Sequence, residues 1–111
     1  MQIKEEEFET LLGGLVLLEI SGSSCASCVA LRPVLHTVAK RLGLKFVSLD
    51  IEQIPTSWLE RWQISRVPTA MLMEDGKDFA RFSGFQPEEI AEIWIESKLE
   101  ERNKQKNNVE E

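Results

Sequence analysis

The sequence predicts an α/β fold in which a central mixed sheet of four to five strands is flanked by helices on both faces. Three observations predict it. Leu15-Val16-Leu17-Leu18-Glu19-Ile20 is an apolar run without alternation, the pattern of a strand covered on both faces. Apolar residues at helical spacing follow, at Cys28, Leu31, Leu35, Val38 and Leu42, and then a second strand at residues 45–51. The two strands belong to one βαβ unit and should lie parallel. Further on, residues 70–73 and 78–83 flank the turn Glu74-Asp75-Gly76-Lys77, as in an antiparallel hairpin.

The remaining elements follow in chain order. Residues 1–4 form at most a short edge strand. Residues 5–12 read as an amphipathic helix with Phe8, Leu11 and Leu12 on one face and Gly13-Gly14 as its stop. The helix after Cys28 should run to Leu42, bend at Pro33, which lacks the N–H that would bond to the Val29 carbonyl, and end at Gly43. Thr56 is placed to cap a short helix carrying Trp58, Leu59 and Trp62. The two tryptophans are four residues apart and should pack beneath that helix. Gly84 releases the chain from the hairpin, and Pro87 with Glu88 and Glu89 opens a last helix whose apolar positions are Ile90, Ile93, Trp94 and Leu99. Residues 1–102 are expected to form one domain, and residues 103–111 a polar tail that frays.

Composition narrows the function. A chain of 111 residues builds one core without disulfide staples. The formal charge of -6 argues against nucleic acid or an anionic membrane as a partner. The opening residues do not resemble a signal peptide, and the longest apolar run is too short for a membrane span, so the expected address is the cytoplasm. There a lone cysteine pair is expected to work by cycling.

That pair, Cys25-Ala26-Ser27-Cys28, falls where the first long strand gives way to the helix. A helix start leaves backbone N–H groups unpaired and carries the positive end of the helix dipole, which favours thiolate over thiol. Cys25 on the lip of the turn is the expected nucleophile, and Cys28, one turn deeper on the same face, can reach its sulfur. A structural zinc site would need four ligands, and His36 lies about 12 Å along the helix from Cys28 at 1.5 Å per residue. A pair of cysteines that merely fills a core is the competing reading.

The element order, with this pair after the first full strand, resembles the thioredoxin family. The resemblance covers residues 5–99 and rests on Cys25 and Cys28, Pro33, Leu49-Asp50-Ile51-Glu52-Gln53 with Pro55, Val67-Pro68-Thr69, Gly76 and Gly84. It implies a thioredoxin fold, a cis proline at Pro68 opposite the cysteines, and pairing of the Val67 backbone with a bound peptide as an added strand. It also implies a role for Glu19, six residues before Cys25, where thioredoxins carry a buried aspartate. Burial favours the neutral form of such a group, which suits it to take up the proton that Cys28 must lose. Alternatively, the longer side chain of Glu19 reaches solvent, and desolvation decides between the two.

Four departures from the family pattern bear on the site. Ser21-Gly22-Ser23-Ser24 replaces the aromatic ledge before the first cysteine, and Ala-Ser replaces Gly-Pro between the two, which leaves the redox potential open. Ser48 stands where thioredoxins place a lysine beside the buried acid, and losing that charge should push Glu19 further toward its neutral form if it is buried. Arg66 stands in place of a glycine, where a cation can lower a thiol pKa or select acidic partners.

The expected function is a thiol–disulfide oxidoreductase that reduces or exchanges protein disulfides through Cys25 and Cys28, with Glu19 in support and Arg66, Val67 and Pro68 binding substrate. Its expected partners are disulfide-containing proteins and an electron-donor reductase, with no bound cofactor or metal, and the chain is expected to be a monomer. The reading from another class is a thioredoxin-fold binding module whose cysteines are incidental or regulatory. Glutathione-dependent transfer is disfavoured because the tyrosine and proline usual between glutaredoxin cysteines are missing. Since the core is large enough to stand without a bridge, reduced and oxidised protein should give nearly the same circular dichroism and a cooperative melt. Collapse on reduction would instead identify a structural disulfide.

Overall fold

Strand β1 (Leu15–Ser21) runs through the interior because both of its faces are apolar, and from Val16 onward every residue is buried. The computed structural model describes residues 2–109, with side chains to residue 105. Four strands form one sheet in the order β2-β1-β3-β4, with β2 at Lys45–Asp50, β3 at Thr69–Glu74 and β4 at Lys77–Ser83. β1 pairs parallel with β2 and antiparallel with β3, and β4 returns antiparallel beside β3, so the sheet is mixed as the sequence predicts.

The period of two along β1 divides the core. Val16, Leu18 and Ile20 face helices α1 (Glu5–Leu11) and α3 (Thr56–Trp62), joining Phe8, Leu12, Trp58, Trp62, Met71 and Met73. Leu17 faces α2 (Ala26–Leu42) and α4 (Glu88–Val109), meeting Leu31, Leu35, Val38, Ala91 and Ile95. Glu19 shares this second face by alternation, and the register sets it between Ser48 of β2 and Ala70 of β3. The helices therefore cover both faces, and the strands number four.

Local chemistry explains most boundaries. α2 is one α-helix through Pro33, and Gly43 stops it in the left-handed conformation at φ 70°, with the Leu44 N–H bonded to the Ala39 carbonyl at 2.8 Å. Where the sequence suggests that strand continues through Ile51, the chain turns into a 3-10 helix at Ile51–Gln53. The Asp50 carboxylate accepts from the Glu52 N–H, and Gln53 Oε1 accepts from the Asp50 N–H at 2.8 Å, a capping arrangement that outcompetes the strand ladder.

One expectation is corrected. Thr56 does not cap α3 but is its first residue, with Pro55 at the cap position and no side-chain cap bond. Residues 2–4 form no strand; the Ile3 N–H makes a single bond to the Gln53 carbonyl at 2.9 Å. From Asn103 the backbone continues as helix through Val109, while residues 110 and 111 lie outside the described residues. Arg102 anchors this extension, pairing with Glu74 at 3.1 Å and lying over the Phe79 ring, and Lys104 pairs with Glu100 one turn back at 3.7 Å.

The tryptophans pack as expected. Phe8 meets Trp58 edge-on with ring centroids 5.0 Å apart and Trp62 at 5.8 Å, and the two tryptophans meet at 5.4 Å. Phe8 is fully buried in this cluster, so Phe8→Ala should destabilise the fold by about 3–5 kcal/mol through lost transfer energy and a residual cavity. The measurement is urea denaturation followed by tryptophan fluorescence; a loss below about 1 kcal/mol would show that the cluster adds little.

Candidate active site

At the end of β1 the chain passes through Gly22-Ser23-Ser24 and enters α2, with Cys25 at the cap position. The Cys25 and Cys28 sulfurs are bonded at 2.22 Å, with Cα atoms 5.3 Å apart. Cys25 Sγ also accepts the Cys28 backbone N–H at 3.2 Å. That N–H is one of the unpaired donors of the first helical turn, so the sulfur sits where a side-chain oxygen usually caps a helix. Exposure separates the two: Cys25 is half-buried, whereas Cys28 is 1% exposed.

Ser24, just before Cys25, has a left-handed backbone at φ 51° and turns the chain from strand direction into the helix. Gly22 answers a second demand. A Cβ there would stand 2.9 Å from Val67 Cγ2, so the missing side chain lets the 67–68 loop lie against the loop that carries the cysteines. The Val67–Pro68 bond is cis. The Thr69 hydroxyl donates to the Arg66 carbonyl at 2.6 Å, and the Gly84 N–H donates to the Pro68 carbonyl at 2.9 Å. Val67 is half-buried, Pro68 is buried and Arg66 is exposed.

Glu19 is fully buried, which removes the alternative in which it reaches solvent. Both carboxylate oxygens are occupied. Oε2 accepts from the Ser21 hydroxyl, Oε1 accepts from the Ser48 hydroxyl at 2.5 Å, and Arg32 Nε stands 3.5 Å from Oε1. Arg32 also donates to Ser21 Oγ at 2.9 Å. Ser48 in place of lysine does not leave Glu19 without a cation: Arg32 of α2 supplies one. A buried carboxylate without partners is costly, and this one is met by two hydroxyls and a guanidinium.

Arg32, Ser21 and the bonding role of Ser48 are what sequence reasoning missed. The signal was present, since Arg32 lies four residues after Cys28 on the same helical face, and a buried acid in a covered strand calls for a donor from the elements above it. Among the described residues no group of three or more histidine, cysteine, aspartate or glutamate side chains could hold a metal ion, and no helix is long and apolar enough to cross a membrane.

A dithiol closed into a bridge on the first turn of a helix, with one sulfur accessible and the other covered, is equipped to exchange disulfides, and the protein is a thiol–disulfide oxidoreductase on an α/β scaffold. The thioredoxin family model matches residues 1–97, and the chain belongs to the thioredoxin family, as a protein-disulfide oxidoreductase. It is 31% identical over 86 residues to a thioredoxin of Chlamydia trachomatis serovar D, covering 76% of this chain and 83% of that one. It is 34% identical over 87 residues to the chloroplastic thioredoxin Y of Oryza sativa subsp. japonica, covering 77% of this chain but only 51% of that longer one. Among solved structures, a mutant thioredoxin from Halobacterium salinarum superposes with a TM-score of 0.70 at 25% identity, covering 88% of this chain and 87% of that one.

The Gly22 contact gives a test of how the two loops fit. Gly22→Ala forces the stiff, β-branched Val67 to shift, and overpacking of this kind costs about 1–3 kcal/mol. Denaturation should show that loss, and the combined variant Gly22→Ala with Val67→Ala should recover most of it. Equal stability of wild type and Gly22→Ala would mean that the loops do not press on each other.

Proposed function

We propose that this protein reduces or exchanges protein disulfides with Cys25 as nucleophile and Cys28 as resolving thiol. The observation that carries the reading is the inequality of the pair: Cys25 is accessible and bonded to a helix-start N–H, and Cys28 is covered. A thiolate at Cys25 keeps that N–H and the positive end of the helix dipole as its field.

In the reducing direction the Cys25 thiolate attacks one sulfur of a substrate disulfide, forming a mixed disulfide and releasing one substrate thiolate. Cys28 loses its proton and attacks Cys25 Sγ. The Cys25–Cys28 bond forms, the bond to substrate breaks, and a second substrate thiolate leaves. Two electrons pass from the dithiol to the substrate, and the departing thiolates take up protons. Glu19 on β1 accepts the Cys28 proton in this reading, supported by its complete burial on the sheet face that α2 covers. Substrate lies in extended form along Val67 beside Pro68, and exposed Arg66 favours disulfides flanked by acidic residues. The cycle closes when a separate reductase returns two electrons to the bridge. The proposal includes action as a monomer and the cytoplasmic address expected from the sequence.

The experiment is a trapping assay in cell extract read on a non-reducing gel. Cys28→Ser should accumulate dithiothreitol-sensitive adducts, because no internal thiol remains to displace the mixed disulfide, whereas Cys25→Ser should trap few. In the reduced wild type, iodoacetamide near neutral pH should alkylate Cys25 faster than Cys28 by at least about tenfold. Partners recovered equally and noncovalently with wild type and both variants would replace the enzyme reading with a binding module.

A further inference from the structure

Arg32 bridges the outside of α2 and the buried acid of β1. Its side chain is 48% exposed, yet Nε stands 3.5 Å from Glu19 Oε1 and a terminal nitrogen donates to Ser21 Oγ at 2.9 Å. Ser21 in turn donates to the other Glu19 oxygen, so the guanidinium and one hydroxyl grip the carboxylate from two sides. The groups facing Glu19 from each neighbouring element can be named. β2 brings the Ser48 hydroxyl, the register neighbour on β3 is Ala70, and α2 brings Arg32, four residues after Cys28 on the same helical face. One turn beyond Arg32, His36 stacks on Phe46 of β2, and Asp50, beside Ser21 in register, is engaged with the Glu52 N–H. Among the described groups the Arg32 guanidinium is the cation paired with Glu19.

We propose that Arg32 is a positioning residue for the resolving step, holding the Glu19 carboxylate fixed on the α2-covered face of β1 in the form that accepts the Cys28 proton. This inference rests on the disulfide-exchange reading above and assigns to α2 a task that the sequence left without a residue when Ser48 replaced lysine. Hydrogen-bond accounting supports it. The two hydroxyls donate one hydrogen bond to each carboxylate oxygen and the guanidinium adds an ion pair at 3.5 Å, an arrangement that suits an ionised carboxylate, whereas a protonated one must turn one oxygen into a donor. Arg32 spans from solvent to the acid, so the charge is delivered without a second ionised group being wholly buried. In the step itself the Cys28 S–H bond breaks, its proton passes to the Glu19 carboxylate, the Cys28–Cys25 bond forms, and the substrate thiolate leaves with the electron pair of the broken mixed disulfide.

The test compares wild type, Arg32→Gln and Arg32→Lys, each as the full chain. Carbon-13 NMR of the Glu19 carboxyl in the oxidised protein should show its titration midpoint moving to higher pH by at least about one unit in Arg32→Gln, with most of that shift reversed in Arg32→Lys. The acid limb of the rate of mixed-disulfide resolution should move in parallel, because an acid that stays protonated cannot accept the proton. Alkylation of Cys25 in a Cys28→Ser background, which tests only the attacking step, should stay within about twofold. A merely structural arginine would lower the melting temperature and leave both pH profiles where they are, which overturns the proposal. So would an equal shift of the resolution profile when Arg32→Gln is made in a Glu19→Gln background. Wild type supplies a measurement that does not depend on the variant folding: the Arg32 Nε–H nitrogen resonance should titrate with the same midpoint as the Glu19 carboxyl, and independent titrations would overturn the pairing. A wild-type chain that exchanges no disulfide would remove the enzymatic reading and the resolution step with it, whereas an active wild type with an unmoved Glu19 midpoint in Arg32→Gln would remove this inference alone.

Discussion

The packing of α2 across β1 is the constraint on which the other features depend. Leu17 of the strand meets Leu31 and Leu35 of the helix in one buried cluster, which fixes the height and rotation of α2 over the sheet. With that rotation set, the first turn of the helix stands at the carboxyl end of β1, Cys28 turns inward, and Cys25 is left on the lip. The same rotation turns Arg32 back toward the strand, where it meets Glu19. Cys25, Cys28 and Glu19 are thus placed by one apolar contact and not by three separate devices.

A polar group in such an interface is expensive, and the manner of its accommodation shapes the site. Glu19 is 0% exposed in a strand whose other buried neighbours are apolar or small. Its partners come from three elements, hydroxyl donors from Ser21 on its own strand and Ser48 on β2 and an ion pair from Arg32 on α2, so the carboxylate ties together the strand pair and the helix that carry the cysteines. The opposite side of the pair is organised differently. There the absence of a side chain at Gly22 admits Val67, and the Thr69 hydroxyl and Gly84 N–H fasten the 66–68 loop through its carbonyls. One side of the cysteine pair is held by charge and hydroxyls, the other by close packing and backbone bonds.

The surroundings of Cys25 set this chain apart within the thioredoxin family. Ser23 and Ser24 leave Cys25 in a small, polar and exposed rim. Such a rim offers little apolar surface for contact. The left-handed backbone at Ser24 provides the sharp turn that brings the strand end onto the helix start.

The sequence alone determined the fold class, the parallel pair and hairpin, and the place of the cysteines, because these follow from apolar periodicity and turn residues, which act over a few neighbours. Leu15 to Ile20 could only be a covered strand, and the spacing of Leu31, Leu35 and Val38 could only be a helix on it. It also showed that Glu19 was out of place in such a strand. Tertiary structure alone decided what answers it. Ser48 carries no mark of a hydrogen bond to a residue 29 positions away, and Arg32, read locally, is an ordinary surface arginine on a helix. The end of α4 was decided in the same way, since residues 103–109 have no apolar face of their own, and the pairing of Arg102 with Glu74 of the sheet is a contact between distant parts of the chain. Periodicity records which face of an element is buried; which polar side chain meets another across that face depends on helix rotation and strand register, and these exist only once the elements have packed.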